Sequence, residues 1–261
     1  QLVPIGKVRT CDIQEILMDL ADKNPHTCKP SSKKVLSDLR MTANQIFKFA
    51  IANRVLDYNP ALAVMVPSGA PQKKRRALTD EEIQRIMEMP HRAQTAAMIM
   101  LYAGLRRGEV IPLTWADINL DARTIHVCKS VKMVGGRPVV KPGAKTAAGE
   151  RTVDIPLILV DFLRARKAAV CEEAEKVQAI RPLVCPSANG EMMTDSAFDR
   201  LWESYLVDMN LKYGDFRDMD KSPTSKFDPG GVPFRIEKFT AHCLRHTFAT
   251  LLYKAGVDVL T

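Results

Sequence analysis

Two strings in this 261-residue chain combine residue types suited to handling phosphate. The first is Gly104-Leu105-Arg106-Arg107-Gly108-Glu109, and the second is Ala241-His242-Cys243-Leu244-Arg245-His246-Thr247-Phe248-Ala249-Thr250. Arginine offers a flat fork of donors that meets phosphate oxygens two at a time. His242 and Arg245 stand three residues apart, so on a helix they share a face. With Thr240 as N-cap they fall in the first turn, where backbone donors and the helix dipole favour an anion. Arg106 follows a helix stop at Gly104 and has Glu109 three residues on as an ion-pair partner. Lys145 is expected at the tip of a hairpin. Near two arginines and a phosphate, a lysine's pKa is pulled both ways and its proton becomes transferable. Such a set could grip a phosphodiester while its phosphorus is attacked. The plainer alternatives are a surface His-x-x-Arg pair and a solvated hairpin lysine. The length of the intact second string weighs against the first of these.

The elements that must position these residues are mostly helical. Asp12 to Ala21 reads as a short helix with Ile13, Ile16, Leu17 and Leu20 on one face. After the N-cap candidates Ser31 and Ser32, the residues Val35, Leu36, Leu39, Ala43, Ile46, Phe47, Ala50 and Ile51 recur at helical spacing. Pro67 to Arg76 is a linker by composition and ends in Lys73-Lys74-Arg75-Arg76. A DNA backbone would neutralise these four cations, and a solvated charge run is the bland alternative. Thr79-Asp80-Glu81-Glu82 is a capping box that opens the next helix. A buried helix is expected over Ala93–Ala103, and a short helical segment over Glu109–Leu113. Strands are expected over Thr124–Cys128, Arg137–Lys141 and Glu150–Ile155. Gly135-Gly136 would be a turn, and Ala144–Gly149 the tip between the last two strands. Helices return over Pro156–Ala179 and Thr194–Met209, and a final helix runs from Thr240 to near Gly256. Between the last two, Gly214–Lys238 reads as a long loop or insertion. The expected fold is mainly α with one small antiparallel β-sheet, an α+β chain.

Composition narrows the function classes. The net charge of +8 favours an anionic partner, nucleic acid being the commonest. No apolar run approaches the length of a membrane span, and no basic-then-apolar segment opens the chain, so a cytoplasmic location is expected. The six cysteines are scattered without a C-x-x-C pair, which suits reduced thiols. His242 and His246 are four apart, but the zinc-hydrolase form of that spacing needs Glu after the first histidine, and Cys243 stands there. No metal or cofactor is expected. Trp115, Trp202 and the methionines read as core packing.

The two motifs, the hairpin lysine and the Phe49-Ala50-Ile51-Ala52…Asn59-Pro60 stretch together resemble the tyrosine recombinases, the phage-integrase family. The resemblance implies an incomplete helical core-binding domain over residues 1–68, a basic linker over 69–76 and a catalytic domain over 77–261. By position in the motifs, it implies that Arg106, Lys145, His242 and Arg245 are catalytic and that Glu109 supports Arg106. It also makes Lys73, Lys74, Arg75 and Arg76 candidates for DNA-backbone contact. The arginines would stabilise the five-coordinate phosphorus, Lys145 would protonate the departing 5′ oxygen, and His242 would assist proton movement. Breaking and rejoining through a phosphotyrosine needs neither ATP nor metal. The implied partners are double-stranded DNA and further recombinase protomers in a tetrameric synapse, on a bacterial nucleoid. Ala241 and Cys243 depart from the Pro and the Asp or Gly common beside the family's histidine. The family's Leu-Gly-His segment and nucleophilic tyrosine would lie beyond Thr261. Of Tyr58, Tyr102, Tyr205, Tyr213 and Tyr253, none occupies the nucleophile's place, and Tyr253 is expected to pack. Both ends read as the ends of a fragment, and these residues alone are expected to bind DNA without cleaving it. The rival readings are a DNA-binding relic or regulator and a type IB topoisomerase-like enzyme.

Overall fold

Helix caps and apolar periodicity place most of the elements. The computed structural model describes residues 3–71, 76–142, 150–177, 182–219, 223, 225–227 and 231–257. The chain divides into two units, residues 1–74 and 75–261.

In the first unit, α1 (Thr10–Asp22) and α2 (Lys33–Ala52) pack through Ile13, Leu17, Leu36 and Phe47, joined by Ala61 and Val64. The Ser32 hydroxyl accepts the Val35 N–H and fixes the start of α2. The Gln14 amide makes a two-way bridge to the Met65 backbone at 3.0 and 2.8 Å, closing the unit's end onto α1. The apolar stripe of α2 is wider than the face this unit covers. Leu36, Phe47 and Ala50 are buried, whereas Val35, Leu39 and Ile46 are exposed. Ile16, expected on the buried face of α1, is exposed as well. Met18, Met41 and Met65 likewise lie at the surface, so the methionines fill core only in the second unit.

The second unit opens with α3 (Asp80–Glu88), started by the expected capping box between Thr79 and Glu82. Helix α4 (Gln94–Tyr102) is buried from Thr95 to Leu101, as its lack of a polar face requires. Short α5 (Arg107–Val110) follows, then a single 3-10 turn at Trp115–Asp117. Strands β1 (Ile118–Asn119), β2 (Thr124–Val127) and β5 (Arg151–Asp154) form one antiparallel sheet in the order β1-β2-β5. Strands β3 (Lys129–Val134) and β4 (Arg137–Pro142) form a separate hairpin. Two small sheets therefore replace the single one expected, and β4 and β5 do not pair with each other. Gly135 and Gly136, both at positive φ, close a two-residue turn that hands β4 to β3 in the register Val134↔Arg137. β5 instead pairs with β2, in the register Ile125↔Val153.

Helices α6 (Leu157–Val177), α7 (Asp195–Tyr213) and α8 (Ala241–Lys254) complete the unit around one core. Trp202 lies in that core and donates to the Phe239 carbonyl at 3.1 Å, while Trp115 packs against its edge. Among the described residues of 214–238 there is no helix or strand. Buried Asn210 ties this stretch down, accepting from the Arg235 and Ile236 N–H groups and donating to the Pro233 carbonyl. Among the described residues no helix is long and apolar enough to cross a membrane.

Candidate functional site

The site is built where α4 ends against α8. Gly104 adopts φ +63°, and a Cβ there would overlap the Phe248 ring of α8. Only glycine allows both the left-handed turn and this close approach. The approach delivers Arg245 of α8 to the turn, where its guanidinium donates to the Gly104 carbonyl. Thr247 is buried on the same helix. Its hydroxyl donates to the Cys243 carbonyl at 2.8 Å and accepts the Leu78 N–H at 2.9 Å, which anchors α8 to the start of the second unit.

Arg106 is the N-cap of α5, with extended backbone (φ −78°, ψ 153°). Its N–H donates to Glu109 Oε2 at 2.8 Å and its guanidinium to Oε1 at 3.1 Å. The Arg106 side chain is still 62% exposed. Its neighbour Arg107 is turned elsewhere, paired with Asp195 and Asp199 of α7 and lying over the Phe198 ring. Of the two adjacent arginines, only Arg106 keeps most of its donors facing solvent.

Arg151 of β5 joins the same carboxylate. It donates to Glu109 Oε1 at 3.2 Å and to Oε2 at 3.0 Å. Burial pushes the Glu109 carboxyl up, but hydrogen bonds from Arg151 and the Arg106 N–H outweigh burial and hold it below the usual carboxylate range. Arg245 is pushed down, first by burial and then by the charges of Arg106 and Arg151, with Glu109 opposing. Three guanidinium groups and one carboxylate therefore act on one another here, with cation in excess. Such an arrangement suits a doubly coordinated oxyanion.

His242 is exposed in the first turn of α8, and its ring stands edge-on to His246, with centroids 4.8 Å apart. Lys145 lies outside the described residues, as do Lys73, Lys74 and Arg75. Arg76 is described, and its guanidinium is taken up by both Glu82 oxygens at 2.6 Å, by Glu237 and by the Ala77 carbonyl. Tyr253 does not pack as expected. It is 75% exposed, on a part of α8 that the core does not cover. Tyr102, Tyr205 and Tyr213 donate to Met87, to the Ile86 carbonyl and to Glu88. Among the described residues, no group of three His, Cys, Asp or Glu could hold a metal ion.

Sequence reasoning missed Arg151. Its signal was faint: a cation sharing the inward register of β5 with Val153. Nothing local linked it to Glu109, 42 residues earlier.

Residues 76–261 match the Phage integrase family. The chain belongs to that family, the tyrosine recombinases. This integrase-family chain is 27% identical over 246 residues to a XerC-like tyrosine recombinase of Caldanaerobacter subterraneus subsp. tengcongensis, covering 88% of the chain and 58% of the relative. It is 24% identical over 255 residues to tyrosine recombinase XerD of Vibrio cholerae, covering 95% of the chain and 68% of the relative. The chain thus spans under two thirds of the length of the first of these relatives. Its fold is similar to that of the Tn1549 transposon integrase in complex with a circular intermediate DNA (TM-score 0.70, 16% identity, covering 98% of this chain and 76% of that one). It is also similar to a lambda integrase in a tetramer bound to a Holliday junction (TM-score 0.59, 18% identity, covering 100% and 64%).

Proposed function

We propose that this chain is the DNA-binding and phosphodiester-gripping part of a site-specific recombinase. The observation that carries this reading is the meeting of Arg106 and Arg245 at one turn, 139 positions apart in sequence, with Arg106 still open to solvent. The two guanidinium groups would hold the non-bridging oxygens and offset the charge that grows as phosphorus becomes five-coordinate. Glu109 would fix the Arg106 turn. His242, beside Arg245 at the start of α8, would assist proton movement, and Lys145 would protonate the departing 5′ oxygen. Lys73, Lys74 and Arg75 would contact the DNA backbone. Arg76 serves instead to clamp the start of the second unit, because Glu82 and Glu237 occupy its donors.

The substrate is double-stranded DNA carrying recombination sites, and the partners are further recombinase protomers on paired sites, working on the bacterial nucleoid. The likeness of fold to integrases solved on DNA supports this reading. A polypeptide of these 261 residues would bind DNA without attacking it, because none of its five tyrosines occupies the family nucleophile's position in the motif order.

Selection from a random duplex pool tests both parts. Enrichment of paired inverted half-sites, weakening steeply with salt, is the expected result. No enrichment would remove the recombinase reading. A protein–DNA adduct surviving denaturation would overturn the statement about the nucleophile, and its loss in Tyr253→Phe would identify the attacking residue.

A further inference from the structure

Glu109 has its acceptor positions filled. Oε1 takes the Arg106 and Arg151 guanidinium groups, and Oε2 takes Arg151 and the Arg106 N–H. A carboxylate has about four lone-pair positions, so little capacity remains for another donor. Arg106 consequently meets Glu109 through one guanidinium nitrogen, although a carboxylate and a guanidinium prefer to close as a two-point fork. Arg151 holds that fork instead. It comes from a β-strand and is largely buried, whereas Arg106 is mostly exposed.

We propose that Arg151 is a positioning residue for the phosphodiester grip: by holding both Glu109 oxygens, it stops the carboxylate from closing as a fork on Arg106 and leaves that guanidinium available to an oxyanion. This rests on the reading of Arg106 and Arg245 as phosphate-binding groups. Arg151 acts through Glu109 and need not touch the phosphate. Without it, the freed carboxylate competes with the substrate for Arg106.

Sulfate, a tetrahedral dianion, is the probe, titrated calorimetrically into the 261-residue chain. Arg106→Gln and Arg245→Gln should each weaken it about tenfold, and so should Arg151→Gln. In a Glu109→Gln background, removing Arg151 should change affinity less than about twofold, because the competitor is gone. Arg151→Lys replaces the planar fork on Glu109 with a point charge and should fall between. In Arg151→Gln, sulfate affinity should rise as pH drops and Glu109 protonates, facing Arg106 and Arg245 no longer as an anion. The unaltered chain should show no such rise in that interval, since its Glu109 carboxyl titrates lower. That pH profile needs only the single variant, should Glu109→Gln fail to fold. An equal loss in both Glu109 backgrounds, or a flat pH profile in Arg151→Gln, would overturn the positioning role. If Arg106→Gln weakens sulfate and Arg151→Gln does not, the positioning role alone fails. If sulfate binding ignores Arg106→Gln and Arg245→Gln, the phosphodiester reading fails with it.

Discussion

Glu82 and Glu109 are the same local device put to different ends. Each is the third residue of its helix, each accepts the N–H of its N-cap residue, and each is gripped through both oxygens by an arginine from outside that helix. In both, burial opposes ionisation and the hydrogen bonds outweigh it, so both carboxyls are held below the usual range. The N-caps differ. At Glu82 the cap is Thr79, and the nearby Arg76 is saturated by Glu82, Glu237 and a carbonyl. At Glu109 the cap is itself an arginine, and a further arginine arrives on α8. The first device is closed and holds structure. The second carries unmatched positive charge toward solvent, which is what an anion site requires.

Gly104→Ala should have the largest effect, because it strikes what the Glu82 device lacks, the delivery of Arg245. Left-handed strain plus the clash with Phe248 should cost about 4 kcal/mol, read as a shift in denaturation midpoint at unchanged slope. A midpoint within error of the parent would mean that α8 does not depend on this approach.

Glu82→Ala and Glu109→Ala should each cost about 3 kcal/mol, since each leaves a partly buried arginine and a backbone N–H without their acceptor. Parity between them would show that the devices are structurally equivalent. The arginines should then separate them. Arg76→Met should cost about 2 kcal/mol, whereas Arg106→Met, losing an exposed pair, should stay within about 0.5 kcal/mol. Binding should run the other way: Arg106→Met should lower DNA affinity and reduce its salt slope by about one, with Arg76→Met leaving the slope unchanged. The reverse pattern would exchange the roles assigned to the two sites.

The smallest effect is on acid stability. Unfolded glutamate titrates near about pH 4.3, and both folded carboxyls titrate lower. The stability they contribute is therefore present above that pH and lost as pH falls toward their folded values. Melting temperature should drop through that window, and less steeply in Glu82→Gln or Glu109→Gln. An unchanged slope in both variants would place the acid sensitivity elsewhere.

Much of the architecture was legible because it is local. Caps at Ser32 and Thr79, and the apolar run of α4, mark helices through contacts within a few residues. Strand pairing was less legible. Composition marks β4 and β5 as strands without saying which neighbour each takes, and the Gly135-Gly136 turn gave β4 to β3, a strand the sequence reading did not separate out. The α2 pattern shows which residues are apolar, but Val35, Leu39 and Ile46 remain uncovered because burial depends on what arrives from elsewhere.

The sequence by itself determined the family, the α+β class, and which residue types stand in the two motifs, because these depend on order and short-range spacing. Only the tertiary structure decided which arginines are available. It turned Arg107 toward α7, closed Arg76 on two glutamates, and brought Arg151 to Glu109 and Arg245 to Gly104. A guanidinium's role depends on how many of its donors other groups have already taken, and those groups come from elements distant in the chain.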